Sequence, residues 1–141
     1  MEFVKMLNEN KYYNKIEASN SDLTVILILK DRVQFTFRWM RYVDAVHFPF
    51  KILIADGGSD EKIMQQLAIQ ENYPNVNYEY IRYPYDETYK HFYIKIVDVI
   101  SRVDTPYVLM ADNDDFFLVD GIKLSIDFLK KNKDFSSCRG I

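Results

Sequence analysis

Three short apolar runs constrain this chain most. Thr24-Val25-Ile26-Leu27-Ile28-Leu29, Lys51-Ile52-Leu53-Ile54-Ala55 and Tyr107-Val108-Leu109-Met110-Ala111 carry almost no polar alternation. A strand of that kind is buried on both faces, so a layer must cover each side of its sheet. A looser, more peripheral strand is expected over Val76 to Ile81. Helical spacing fills the gaps. Val33, Phe37, Met40 and Val43 share a stripe within 32–46. Ser59 or Asp60 can cap a helix running to about Glu71, and Asp120 can cap one over 121–131. The resulting β-α-β-α-β-α-β-α order predicts an α/β fold, Rossmann-like, with a mostly parallel sheet in a three-layer α/β/α sandwich.

The clearest helix is expected over 87–103. Tyr89, Phe92, Ile96, Val99, Ile100 and Val103 fall within about 60° of Ile96 at about 100° per residue. Thr105-Pro106 ends it. Residues 1–22 read as a polar lead-in with a short helix at most, and residues 23–141 as the domain. Residues 135–141 read as the start of a further element, cut short.

Composition excludes several classes. The chain has 141 residues, 48% hydrophobic and 28% charged, which is one domain with enough apolar material for a core. Its net charge of −3 argues against a general nucleic-acid binder, which carries a basic face. Cys138 is the single cysteine, so no internal disulfide can form and a reducing compartment is expected. The longest aliphatic run, Val25 to Leu29, is far short of the about 20 residues that span a bilayer. The polar N-terminus has no signal-peptide core. The expected location is the cytoplasm, with the inner face of the membrane as the alternative.

Ligands in such sheets sit at the carboxyl ends of the strands. Three of these ends carry chemistry: Leu29-Lys30-Asp31-Arg32, Ala55-Asp56-Gly57-Gly58-Ser59-Asp60 and Asp112-Asn113-Asp114-Asp115. Clustered aspartates repel one another, and a hard divalent cation relieves that. A plain surface turn is the competing explanation. An EF-hand does not fit, because Phe117 holds the sixth position and Lys123 the twelfth. Asp56 could accept hydrogen bonds from a base or ribose, and the two glycines permit a close approach. No phosphate-binding P-loop or dinucleotide fingerprint is present.

Together these strand ends resemble family 2 glycosyltransferases of the GT-A fold, over roughly residues 23–140. Ile28-Leu29-Lys30-Asp31-Arg32 is similar to that family's first strand end. Ala55-Asp56-Gly57-Gly58-Ser59 resembles its Asp-Asp-Gly-Ser loop. Asp112-Asn113-Asp114 matches its Asp-x-Asp motif, and Thr105-Pro106-Tyr107-Val108 looks like the bacterial polysaccharide branch. Two departures stand out. Leu29 and Lys30 replace a small polar residue and an aromatic, and Ala55 replaces the first paired aspartate, so base recognition is expected to be altered.

The resemblance implies metal-dependent binding of a nucleotide-diphosphate sugar, with a UDP-sugar favoured, for inverting transfer to a glycan or other sugar acceptor. It implies that Leu29, Asp31, Asp56, Lys95 and Asp112 bind the nucleotide sugar. Asp56 would hold the base, and Asp112 and Asp114 would ligate Mn²⁺ or Mg²⁺. Lys95 would lie near the diphosphate; an ordinary lysine snorkelling from the margin of its helix is the alternative. In this family the catalytic base lies well downstream of Asp-x-Asp, so it is expected beyond Ile141. The chain is therefore expected to be the donor half, truncated before the acceptor half, with an open sheet edge and a tendency to self-associate.

Three other readings compete. A non-catalytic interaction module of the same fold would use exposed Tyr83, Tyr85, Tyr89 and Tyr93. A nucleotidyltransferase would need a glycine-rich first loop, absent from Leu29 to Gln34. A receiver domain would need an acidic pair where Asp31 stands alone.

Overall fold

In the computed structural model of the chain, residues 11–13 and 18–139 are described. The rest of the lead-in, and so most of the expectation made for it, lies outside these residues. The strands are β1 (Lys11–Tyr13), β2 (Asn20–Leu29), β3 (Phe50–Asp56), β4 (Tyr78–Arg82) and β5 (Tyr107–Asp112). The helices are α1 (Val33–Ala45), α2 (Glu61–Leu67), α3 (Tyr89–Ser101) and α4 (Val119–Lys131).

The sheet order is β1-β4-β3-β2-β5. β2, β3, β4 and β5 are mutually parallel, and β1 pairs antiparallel with β4. The first parallel strand, β2, therefore lies between the second and the fourth. The chain order reverses there, at the carboxyl ends of β2 and β5, where parallel sheets of this kind bind their ligands.

Both faces of the sheet are covered at β2 and β3, as their unalternating runs require, whereas β5, expected from its run to be buried on both faces, is covered on one face only. Val25, Leu27 and Leu29 pack with Trp39, Met40, Ile63 and Ile122 from α1, α2 and α4. Ile26, Leu53, Ala55 and Ile81 face the other way, toward Val99 of α3. Side chains alternate across a strand, so one apolar run serves two cores.

Four expectations are corrected. α2 ends at Leu67, and a 3-10 turn follows at Gln70–Asn72. Side chains capture its last carbonyls: the Tyr78 hydroxyl donates to Leu67 O at 2.8 Å and Asn72 Nδ2 to Gln66 O at 2.9 Å. α4 starts after Leu118, so Asp120 lies in its first turn instead of capping it. There the carboxylate still favours the positive end of the helix dipole. β4 is the outermost parallel strand, but β1 pairs along its outer side. The buried face of α3 is not the stripe centred on Ile96. Lys95 and Val99 are buried, whereas Tyr89 is 83% and Ile100 46% exposed.

β5 pairs with β2 alone among the described residues. On the α3 side of the sheet, its Val108 and Met110 are nearly half exposed. Residues 132–139 form no further helix or strand. Among the described residues, no helix is long and apolar enough to cross a membrane.

Candidate functional site

The parallel register sets the strand ends level. Leu29 pairs with Asp56, Asp56 with Arg82, and Ile28 with Asp112. The three chemistry-bearing ends of the sequence and the loop after β4 thus share one rim.

Asp56 is fully buried. Its Oδ1 accepts from the Gly58 N–H at 2.8 Å. Its Oδ2 accepts from the Tyr80 hydroxyl at 2.6 Å and from Arg82 Nη1 at 2.8 Å. Burial, then the Asp56 charge, pushes the Tyr80 phenol above its ordinary value. Both Asp56 oxygens are therefore engaged within the protein. The residue braces the rim from beneath.

The two glycines are required by close packing. A Cβ on Gly57 would meet the Asp86 carboxylate at 2.4 Å, and one on Gly58 would meet the Asp31 backbone nitrogen at 2.5 Å. The close approach foreseen for Gly57-Gly58 is made by the protein's own loops.

Asp31 and Arg32 are consecutive residues in the left-handed region, with φ of 58° and 60°. Such conformations cost free energy and persist where surroundings enforce them. Here Asp31 Oδ1 accepts from Ser59 N at 2.7 Å, Asp60 N at 3.2 Å and Ser59 Oγ at 3.2 Å. The Ser59 N–H, working against a smaller effect of burial, holds the Asp31 carboxyl below its ordinary value. This bond set locks the loop after β2 onto the loop after β3.

Lys95 is fully buried and forms an ion pair with Asp86, itself 4% exposed. The Lys95 ammonium also donates to Leu29 O at 3.0 Å. Burial pulls its pKa down, and the bond to Asp86 opposes this. The margin placement and the snorkelling alternative are both corrected: Lys95 joins α3 to the end of β2 and to the loop after β4. Asp86 Oδ1 is buried without a partner.

Beside this node lies a cavity of about 310 Å³, lined by Lys30, Asp86, Glu87, Thr88, Tyr89 and Phe92. Lys30 Nζ donates to Asp86 O at 2.6 Å and lies over the Tyr85 ring. Leu29, expected to touch a nucleotide, has a buried side chain in the core, and only its carbonyl takes part in this node.

On the β5 side of this rim, Asp112, Asp114 and Asp115 are exposed, while Asn113 is buried and donates to Thr36 Oγ1 at 3.0 Å. Arg32 offers Nη1 and Nη2, each at 3.1 Å, to Asp114 Oδ2. Its guanidinium also lies 4.3 Å from the centre of the Phe35 ring. Arg32 thus supplies a positive charge at the carboxylate expected to bind metal.

That placement sets the guanidinium where a cation on Asp114 would have to displace it. A cation needing a full protein cage does not fit: among the described residues, no three acidic, His or Cys side chains converge on one point.

Sequence alone placed Arg32 at this rim without a role and gave no sign of Tyr80, Arg82 and Asp86 there. Arg32 stood in a quoted motif, and its left-handed backbone was not visible from composition. No known family model matches the chain, and comparisons with curated proteins and with solved structures find no match.

Proposed function

We propose that this chain binds the donor of a glycosyltransferase reaction, a nucleotide-diphosphate sugar held with Mn²⁺ or Mg²⁺. The supporting observation is the approach of the Lys30–Arg32 loop to the Asp112–Asp114 turn across the reversal point of the sheet. Phosphate ligands favour such reversal points in parallel sheets.

In this reading the nucleoside enters the cavity beside Lys30, with Tyr89 and Phe92 as apolar walls. Lys30 contributes positive charge toward the phosphates. Asp112 and Asp114 would hold the cation, which neutralises the leaving diphosphate as a Lewis acid. Asp31, Asp56 and Lys95 fix the loops. In an inverting reaction, a hydroxyl of a glycan or other sugar acceptor attacks the anomeric carbon in line.

Thermal unfolding with UDP, GDP, dTDP or CDP, with and without Mn²⁺, tests this. A nucleotide at 100 times its Kd should stabilise the fold by about 2.7 kcal/mol. The effect should need metal and vanish in Asp114→Asn. Absence of any stabilisation rejects the reading.

One observation favours a second reading, an interaction module. Tyr89, Tyr93, Val97 and Ile100 form an exposed apolar stripe along α3, on the same side of the sheet as Val108 and Met110. Contiguous apolar surface of this kind marks association.

A further inference from the structure

Two apolar surfaces on the α3 side of the sheet lack the layer that each needs. Among the described residues, α3 is the only helix on that side. Its Val99 packs on Ile26, Leu53 and Ile81, so it covers β2, β3 and β4. β5 is left bare. Its Val108 and Met110 stand level with Thr24 and Ile26, share their face and are exposed. Yet the unbroken run Tyr107 to Ala111 is the pattern of a strand covered on both faces. On α3, the Tyr83 hydroxyl donates to Asp98 Oδ2 at 2.6 Å and turns that flank toward β4. At about 100° per residue, Tyr93, Ile96 and Ile100 lie on the opposite flank, toward β5. Val97 stands opposite the buried Lys95 and Val99, and Tyr93, Val97 and Ile100 are exposed.

We infer that two copies of this chain pair face to face, α3 of each covering β5 of the other. The inference rests on the interaction-module reading and names its partner. Each copy offers a helix flank without a sheet and a sheet face without a helix, so one two-fold axis satisfies both. With that axis parallel to the strands, α3 of one copy runs antiparallel to β5 of the other. That is the sense of a crossover helix on a parallel sheet. The charges complement each other in this arrangement. α3 begins at the carboxyl end of the sheet, and its first turn carries Lys90 and no acidic residue. β5 leads at that same end into Asp112 and Asp115. All three side chains are exposed and without a partner among the described residues. The pairing brings Lys90 and the positive end of its helix to the two carboxylates of the other copy.

Sedimentation equilibrium over a range of concentration and salt reads the pairing. Met110→Lys puts a charge on the bare face of β5. Lys90→Glu and Asp115→Lys each reverse one charge at the end of the contact, and the double variant restores opposite signs. Thermal unfolding of every variant checks that the fold is intact.

The native chain should dimerise, and Met110→Lys should weaken the dimer about tenfold or more. Lys90→Glu and Asp115→Lys should each weaken it about threefold or more at low salt, and the double variant should pair more tightly than either. If the native chain dimerises but Met110→Lys and the charge reversals change nothing, α3 does not cover β5 and the pairing is wrong. Loss of that dimer in Val97→Lys would then still place the association on the α3 stripe. If the native chain stays monomeric to about 1 mM, the second copy is the wrong partner. In that case a hydrophobic dye bound by the native chain and not by Val97→Lys keeps the stripe as a surface for another protein. No such dye binding removes the interaction-module reading as well.

Discussion

The ammonium of Lys95 donates to the carbonyl oxygen of Leu29 from a position sealed off from solvent, 66 residues away in sequence. The same ammonium neutralises Asp86, so one charge ties α3, the end of β2 and the loop after β4 together. A buried pair contributes little net stability over an apolar replacement, but breaking it strands a charge. Lys95→Met should therefore destabilise by about 3–5 kcal/mol. Adding Asp86→Leu should recover part of that loss. Urea unfolding of the two single variants and the double variant measures the coupling; strictly additive effects would count against the pairing.

Gly57 lies against the Asp86 carboxylate with no room for a methyl group. Gly57→Ala should cost about 1–3 kcal/mol by overpacking. In an Asp86→Ala background the added cost should shrink, since the obstructing carboxylate is gone. Denaturant midpoints of the cycle report this directly.

Acid should loosen the loop pair through Asp31. Its folded carboxyl sits below the ordinary value of 3.8, chiefly because the Ser59 N–H bonds to the charged form. As pH falls, the unfolded chain takes up the proton first. The Asp31 contribution is thus complete above that ordinary value and is lost as pH drops through the lowered folded value. Asp31→Asn should be less stable at neutral pH and should flatten the acid limb of the stability curve. Urea midpoints from neutrality to about pH 3 test it; parallel curves for the two proteins would reject the assignment.

Lys30 is exposed and lines the cavity beside Asp86. Lys30→Met should cost about 1 kcal/mol of stability, the loss of its hydrogen bond to Asp86 O. Nucleotide affinity should fall about tenfold, the loss of one charge-assisted hydrogen bond. Calorimetric titration in the presence of Mn²⁺ separates the two quantities.

The apolar stripe on α3 predicts association at high concentration. Val97 is 69% exposed, so Val97→Lys should shift a concentration-dependent sizing profile toward monomer without loss of stability. An unchanged profile would remove the stripe as the contact.

The double-sided strands were legible because burial on both faces leaves a local signature, the unbroken run Val25 to Leu29. The strand-end aspartates were legible for the same reason, since strand ends and turn residues are local. The partners were not. Asp56 meets Tyr80 and Arg82 only through the register of β3 with β4. Arg32 and Asp114 are 82 residues apart. Helical periodicity treats Lys95 as polar and sets it at a margin, but a carboxylate from another loop draws it inside. β1 is three residues long, and its pairing with β4 left no pattern of its own.

Asn113 faces inward and is fastened to Thr36, with an exposed aspartate on either side of it. A turn anchored through its middle residue presents its flanking carboxylates to solvent. On the donor-site proposal, a cation held there would keep most of its hydration, so it would arrive and depart with its phosphate ligand instead of being installed when the chain folds.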